Sequence, residues 1–354
     1  MLMHAVTQNA LPKFVELGTG KIANLLSIFE AHSVACSKVL LLHDATTVRI
    51  GGQSILDMLN KKGIATFGHS IANSSDKDVN HVNRLLSKHQ PDLVIGFGGG
   101  KVIDIAKISA AKNSIRFISI PTTLSNDGLA SPVSVIKDAN DIPISHITKP
   151  PYGVIIDVDI VKQAPLRHLM AGVGDLISNL SAVFDARLAR QRHAEDVDEN
   201  SLELAEAGGK KLLELQTRDI NDPTFLSNLA QGLIKSGFSM CIYGTSRPAS
   251  GSEHKISHSI DHYFPLSQGL HGEQVGIAAI FTMFLQKNKY LEKMKRLYKR
   301  IGFPAKLSYL GLSQEEFIQV VVNATKIRPE RYTILEEIKP TAEDIQRALE
   351  QTQL

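Results

Sequence analysis

Four histidines lie close together in the second half of the chain, and their spacing could build a metal site. His254, His258 and His262 follow one another at i, i+4 intervals, and His271 comes soon after. On a helix the first three imidazoles would share one face. Imidazole is the commonest neutral metal ligand in proteins. The segment is flanked by glycine and serine. Two interpretations are open, a divalent metal site and a hydrated helix face that carries histidines.

A run of glycines in the first half of the chain could hold the phosphates of a nucleotide. A predicted apolar strand over 92–96 runs into Gly98, Gly99 and Gly100, and a helix pattern follows at once. Glycines let the backbone approach a pyrophosphate, and the N-terminus of a helix attracts its charge. The run is neither the usual G-x-G-x-x-G fingerprint, because Lys101 takes the third position, nor a Walker A loop. The alternative is a packing turn between strand and helix.

Short polar side chains near this turn are further candidates for ligand contacts. Asp104, one helical turn beyond the glycines, could accept a hydrogen bond from a ribose or a nicotinamide-side group, or could simply complement the helix dipole. Loops at the carboxyl ends of parallel strands commonly bind ligands, although such residues also make plain turns. The loop over 121–132 contains Thr122, Thr123, Ser125, Asn126, Asp127 and Ser131.

Composition excludes several classes of protein. At 354 residues the chain is long enough for two domains. Its 43% hydrophobic and 21% charged residues are ordinary for a globular protein. A net charge of +3 is too mild to indicate nucleic-acid binding, and no segment has the 18 uninterrupted apolar residues of a membrane span. The two cysteines, Cys36 and Cys241, form no disulfide framework, so we expect a cytoplasmic protein.

The hydrophobic pattern predicts two domains of different class. Over 1–163, short apolar runs alternate with amphipathic stretches, as in βαβ units of a Rossmann-like α/β domain with a parallel sheet. Over 164–354, long helical patterns predict an all-α domain. Residues 133–147 alternate around the turn-rich stretch DAND and predict a hairpin appended to the sheet. The predicted strands are 14–17, 38–43, 64–67, 92–96, 115–120 and 154–157, and the predicted helices are 21–32, 51–60, 77–88, 101–112, 166–192, 201–215, 223–243, 275–286, 289–301 and 341–353.

Taken together, the motifs resemble the iron-containing alcohol dehydrogenase and dehydroquinate synthase superfamily, and within it the sn-glycerol-1-phosphate dehydrogenases. The resemblance covers nearly the whole chain. It implies the dehydroquinate synthase-like fold, with an NAD(P)-binding domain followed by a metal- and substrate-binding domain. The segments that carry it, in order, are FVELGTGKI, IGFGGGKVIDIAK, IPTTLSNDGLASPVSVI, GVGDLISNLSAVFDARLA, SRPASGSEHKISHSID, HGEQVG and RPERYTILE.

The resemblance also implies roles for individual residues. A divalent metal would be held by Asp175, His254 and His271, while His258 would contact the substrate and relay a proton. His262 has no implied role and is expected to be exposed or to lie behind the ligands. Asp127 would contact the substrate. The positions implied for coenzyme binding are Asp44, Gly98, Gly99, Gly100, Lys101, Asp104, Thr122, Thr123, Ser125 and Ser131.

The implied reaction is the reversible, NAD(P)H-dependent reduction of dihydroxyacetone phosphate to sn-glycerol 1-phosphate. Zinc is the default metal, although iron or nickel would fit the same donors. Arg328 and Arg331 are candidates for a phosphate site, their alternative being a surface or inter-helix salt bridge. Two other functions stay open, a sugar-phosphate cyclase of the dehydroquinate synthase type and a glycerol-dehydrogenase-like polyol dehydrogenase. We expect a homo-oligomer with no nucleic-acid partner.

Overall fold

The computed structural model describes residues 11–138 and 142–354. The chain forms two compact units, the first ending at Pro165 and the second beginning at Leu166. The sequence pattern placed the change two residues earlier, after position 163. In the described part of the chain, no helix is both long and apolar enough to cross a membrane.

The first unit is built on a six-stranded, wholly parallel sheet with the strand order β1-β8-β5-β4-β2-β3. This confirms the predicted parallel sheet. All six predicted strands are present, with bounds that differ from the prediction by at most a few residues. They are β1 (Phe14–Gly18), β2 (Lys38–His43), β3 (Ala65–Ser70), β4 (Leu93–Gly98), β5 (Arg116–Pro121) and β8 (Gly153–Asp157).

Both faces of this sheet are covered, which explains the continuous apolar runs of its central strands. In β2, Val39 and Leu41 belong to one core cluster, and Leu40 and Leu42 belong to another. Because side chains alternate along a strand, the two clusters lie on opposite faces of the sheet. The helices of this unit are α1 (Leu25–Ala31), α2 (Gln53–Lys61), α3 (Asp76–His89), α4 (Gly100–Lys112) and α5 (Val158–Val161).

Two local predictions in this unit need correction. The helix predicted over 21–32 is present but shorter, because residues 21–24 form turns and the helix spans Leu25–Ala31. The predicted hairpin exists as β6 (Val133–Lys137) and β7 (Pro143–Ile147), but the pair forms a separate antiparallel sheet. It packs beside α4 rather than extending the main sheet. Residues 139–141 of the predicted DAND turn lie outside the described part.

The described residues of the second unit form helices joined by loops, and none of them forms a strand. The predicted helices are all present, and two more occur where the sequence pattern suggested nothing. Of these, α12 begins at a capping box between Ser313 and Glu316, and α13 at one between Thr333 and Glu336. The helices are α6 (Leu166–His193), α7 (Glu199–Glu214), α8 (Pro223–Tyr243), α9 (Ser252–Tyr263), α10 (His271–Leu285), α11 (Leu291–Ile301), α12 (Gln314–Ala324), α13 (Ile334–Ile338) and α14 (Ala342–Thr352).

Candidate functional site

Three helices of the second unit bring Asp175, His254 and His271 together. One potential ligand atom from each lies within 4.8 Å of the other two. His271 Nε2 is 3.8 Å from Asp175 Oδ1, and the two imidazole centroids are 5.0 Å apart. Ligands held about 2.0–2.1 Å from one ion can be at most roughly 4.2 Å apart. The Asp175–His271 pair therefore meets this limit already, and small side-chain rotations would bring in His254.

The approach of α6 and α10 depends on two glycines that neighbour the ligands in sequence. A Cβ on Gly272 would lie 2.0 Å from the carbonyl oxygen of Ala171, and one on Gly174 would lie 2.0 Å from the carbonyl oxygen of Gly272. No larger residue fits at either position unless the helix backbones separate. The glycines of GVGD and HGEQVG therefore let Asp175 come close to His271.

A buried glutamate sets the tautomer of His254. Glu253 is fully buried, and its Oε1 lies 2.9 Å from His254 Nδ1. The same oxygen accepts a hydrogen bond of 2.7 Å from the backbone N–H of Gly251, so it acts as an acceptor toward the imidazole as well. His254 Nδ1 must then carry the proton, which leaves Nε2 with the lone pair that a metal needs. Sequence reasoning missed Glu253, whose only signal is its place directly before His254.

A chain of hydrogen bonds sets the tautomer of His271 in the same way. Gln274 Nε2 donates to Asp261 Oδ1 at 3.1 Å, which turns its Oε1 toward Ser257. Ser257 Oγ donates to that oxygen at 2.6 Å and lies 3.2 Å from His271 Nδ1. Because the hydroxyl proton is already used, Nδ1 donates and Nε2 keeps its lone pair. Both histidines therefore offer Nε2, and neither Ser257 nor Gln274 was predicted from the sequence.

Glu273 holds the start of α10, where His271 is the first residue. Its buried carboxylate accepts from the backbone N–H of Leu270 at 2.7 Å, which closes a turn before the helix. Arg167 donates to it through Nε and Nη2, both at 2.9 Å, and Tyr309 donates through its hydroxyl at 3.2 Å. Such a fully paired carboxylate fixes the backbone that presents His271.

The remaining two histidines of α9 differ from each other. His258 lies beside the cluster, with its ring centroid 6.1 Å from that of His271 and 6.4 Å from that of His254. Burial and the charge of Arg328 hold the pKa of His258 well below its ordinary value. His262 is exposed and packs edge-on against Tyr263. Of the three histidines predicted to share one face of a helix, only His254 and His258 therefore lie at the cluster.

In the first unit, the consecutive glycines Gly98, Gly99 and Gly100 differ in whether a Cβ would fit. A Cβ on Gly98 would lie 2.6 Å from the Val102 side chain, so Gly98 is required for packing. At Gly99 and Gly100 a Cβ would meet its nearest described neighbours, Thr123 and Asn126, at an ordinary 3.7 and 3.5 Å. The packing alternative therefore explains Gly98 only. The other two leave the N-terminus of α4 open to an approaching ligand.

Asp104 and Lys107 brace the loop that carries Asp127. Lys107 is buried, and its Nζ donates to the carbonyl oxygens of Gly128 at 2.5 Å and Val133 at 2.6 Å. Asp104 Oδ1 lies 4.0 Å from the same Nζ. Burial raises the pKa of Asp104 to about 7, opposed by the charge of Lys107. These contacts give Asp104 a bracing role inside the first unit, and its implied coenzyme contact stays a prediction.

The other coenzyme candidates occupy varied environments. Asp44 Oδ1 accepts from the backbone N–H groups of Thr46 and Thr47, both at 2.8 Å, and so closes the turn after β2. Thr122 and Ser131 are buried, while Lys101 Nζ donates to the carbonyl oxygen of Ala72 at 3.2 Å. Thr123 and Ser125 bond each other through their hydroxyls at 3.5 Å. Their coenzyme roles also stay predictions.

Comparison with known proteins places the chain in a family. The iron-containing alcohol dehydrogenase family matches residues 16–165. The glycerol-1-phosphate dehydrogenase [NAD(P)+] of Archaeoglobus fulgidus is 41% identical over 74% of this chain and 75% of its own. The enzyme of the same name from Hyperthermus butylicus is 36% identical over 95% of this chain and 96% of its own. Among solved structures, glycerol dehydrogenase from Schizosaccharomyces pombe shares the fold, with a TM-score of 0.72 at 23% identity over 97% of this chain and 92% of that one. The chain therefore belongs to the glycerol-1-phosphate dehydrogenases, within the iron-containing alcohol dehydrogenase family.

Proposed function

We propose that this chain catalyses the reversible, metal-dependent reduction of dihydroxyacetone phosphate by NAD(P)H to sn-glycerol 1-phosphate. The observation that carries the proposal is the cluster of Asp175, His254 and His271, in which one carboxylate and two imidazoles converge. Relatives that match over nearly the whole chain bear the name of this activity. A set of three protein ligands is typical of catalytic sites, which keep a coordination position open.

When bound, a divalent metal would polarise the substrate ketone as a Lewis acid, and the nicotinamide would supply the hydride. The donor set of two nitrogens and one carboxylate suits zinc best, and iron or nickel would also fit. The buried carboxylate of Asp175 offsets part of the positive charge. Glu253 and Ser257 keep the two imidazoles in the tautomer that can act as ligands.

Reduction of a ketone also consumes a proton, and we assign its delivery to His258. A neutral imidazole has one protonated and one unprotonated nitrogen, so it can donate from one atom while the other accepts. Its position beside His254 and His271 suits a proton relay to the carbonyl oxygen. Asp127 is proposed to contact the substrate.

The coenzyme pyrophosphate is proposed to bind at the N-terminus of α4. Gly99 and Gly100 have no described neighbour that requires a glycine, and the first-turn N–H groups would donate to the phosphates. The remaining coenzyme candidates are proposed on the family resemblance. Both NAD and NADP are proposed as coenzymes. We further propose that the chain is a homo-oligomer, which sedimentation would check.

The fate of the hydride distinguishes this function from its alternatives. We expect dihydroxyacetone phosphate to drive stoichiometric loss of NAD(P)H absorbance over many turnovers, with a strong preference over free dihydroxyacetone. Equal use of the two ketones would indicate a glycerol-dehydrogenase-like enzyme instead. A cyclase returns the hydride to its own intermediate, so phosphate release from a seven-carbon sugar phosphate without net NAD(P)H oxidation would replace the proposal.

A further inference from the structure

Arg328 and Arg331 converge on the segment that leads into α9. Arg328 Nη1 donates to the hydroxyl oxygens of Ser246 and Ser250, both at 3.3 Å. Arg331 Nη2 donates to the same Ser246 hydroxyl at 3.3 Å, and its Nη1 donates to the carbonyl oxygen of Ser250 at 2.6 Å. One hydroxyl therefore joins the two guanidinium groups, and this brings two positive charges close together.

The charge of Arg331 is not balanced by an ion pair. Both of its hydrogen bonds go to neutral serine oxygens, and no carboxylate lies within ion-pair distance of it among the described residues. Burial, then the charges of Arg328 and Arg247, lower the pKa of Arg331 to about 10. Arg247, by contrast, is paired with Glu195 at 2.9 Å. The salt bridge that the sequence analysis gave as the alternative role of Arg331 is therefore not formed with any described residue.

The arginine pair lies near the ligand cluster. Both guanidinium groups bond Ser250, Arg328 at its hydroxyl and Arg331 at its carbonyl oxygen. Ser250 lies just before α9, and His254 is in the first turn of that helix. A bound anion would relieve the repulsion between the two guanidinium groups.

The turn that carries the two arginines is held rigidly. Lys255 Nζ donates to the carbonyl oxygen of Arg331 at 3.0 Å, and Arg247 Nη2 donates to that of Tyr332 at 2.8 Å. The backbone N–H of Arg331 closes the turn onto the carbonyl oxygen of Arg328 at 2.9 Å. Arg328 itself adopts a left-handed φ of +49°, which is uncommon outside glycine. The two side chains are thus preorganised, so little entropy is lost when they bind an anion.

We propose that Arg328 and Arg331, with the Ser246 hydroxyl, form the subsite for the phosphate monoester of the substrate. This assignment rests on the proposed function, and it explains how the enzyme would select a phosphorylated ketone. Guanidinium forks match phosphate oxygens in pairs, and a serine hydroxyl can donate a further bond. A ketone without phosphate would leave Arg331, which has no carboxylate at ion-pair distance among the described residues, without an anion, a mismatch that strongly lowers kcat/KM.

The test compares Arg331→Gln with Arg296→Gln, a matched change at an exposed arginine of α11. Steady-state rates would be measured on dihydroxyacetone phosphate and dihydroxyacetone, together with inhibition by inorganic phosphate. We expect Arg331→Gln to lower kcat/KM for the phosphorylated ketone by about 10- to 100-fold, mainly through KM, because charge-assisted hydrogen bonds are lost. The value for dihydroxyacetone should stay within about twofold, and phosphate inhibition should weaken in parallel. Arg296→Gln should match the wild type.

Equal losses on both ketones, or unchanged inhibition by phosphate, would overturn the subsite. Ser246→Ala provides a second variant if Arg331→Gln does not fold, and we expect the same selectivity change with a smaller size. Calorimetric titration of the metal-loaded wild type and variant with inorganic phosphate needs no turnover. If the wild type fails to reduce dihydroxyacetone phosphate, the proposed function fails. The titration then still decides the subsite, since phosphate binding that depends on Arg331 supports it and binding that does not refutes it.

Discussion

The two candidate binding regions are built in opposite ways. The proposed coenzyme region of the first unit uses backbone groups that are adjacent in the sequence, at the junction of β4 and α4. The ligand cluster of the second unit uses side chains from three helices, at Asp175, His254 and His271. The first region is formed as soon as one strand and one helix form. The second requires the helices of the unit to pack correctly.

The glycines of the two regions show the same contrast. Gly99 and Gly100 have room for a Cβ among their described neighbours, so a ligand is the reason proposed for their small size. Gly174 and Gly272 have no room at all, because the opposing helix backbone lies where a Cβ would be. Glycine is therefore proposed to give a ligand access to the backbone in the first unit, whereas it lets two helices pack closely in the second. Substitutions at the two sets should have separable consequences.

The largest effect is expected from removing the metal. Chelation, or Asp175→Ala, should lower kcat/KM for dihydroxyacetone phosphate by at least about a thousandfold, because Lewis-acid stabilisation contributes several kcal/mol. Added zinc should restore the chelated wild type but not the variant. Elemental analysis would be run beside the assay. Full activity in protein shown to be metal-free would contradict the proposed chemistry.

The next largest effect is expected for Gly272→Ala. The added methyl group would overlap the carbonyl oxygen of Ala171 and push α6 and α10 apart. We expect a loss of about 1–3 kcal/mol in the free energy of unfolding, together with weaker metal binding. Thermal denaturation and metal titration measure the two effects. Unchanged metal affinity would show that the helix crossing does not set the distance between Asp175 and His271.

Gly99→Val should give a smaller and cleaner effect. The backbone at Gly99 has φ −76° and ψ −174°, which any residue can adopt, and the nearest described atom to a Cβ is 3.7 Å away. Stability and metal content should therefore stay unchanged. Coenzyme affinity should fall by about tenfold or more, because the larger side chain would block the backbone N–H groups from the phosphates. Calorimetric titration that finds wild-type affinity in the folded variant would move the pyrophosphate elsewhere.

The smallest effect is expected for Ser257→Ala, with Ser259→Ala as its control. Both serines are buried in α9, but Ser257 bonds His271 whereas Ser259 donates to the carbonyl oxygen of Val320 at 2.8 Å. Both changes should cost similar stability. Only Ser257→Ala should weaken metal binding, by about 10-fold, since the His271 tautomer loses its support. Equal metal affinities in the two variants would remove that role.

The outline of the fold was predictable, and its errors have identifiable causes. The parallel sheet followed from apolar runs such as that of β2, which only a sheet covered on both faces can bury. The helix predicted from Lys21 begins only at Leu25, since a periodic pattern does not mark the exact start of a helix. The β6–β7 pair was recognised, but its separation from the main sheet depends on packing beside α4. Long-range packing leaves no periodic signal in a single strand.

The sequence by itself determined most element types and, through motif resemblance, the family, and it predicted the ligand set. It also supplied the glycines, without showing which of them face a ligand and which face another helix. Tertiary structure decided the rest: that His258 joins the cluster and His262 does not, and that Glu253 and Ser257 set the tautomers. It also decided that Arg331 has no salt bridge to any residue that the structure describes. These properties depend on distances between residues far apart in the chain. Local composition does not encode such distances, because they arise only when the helices pack.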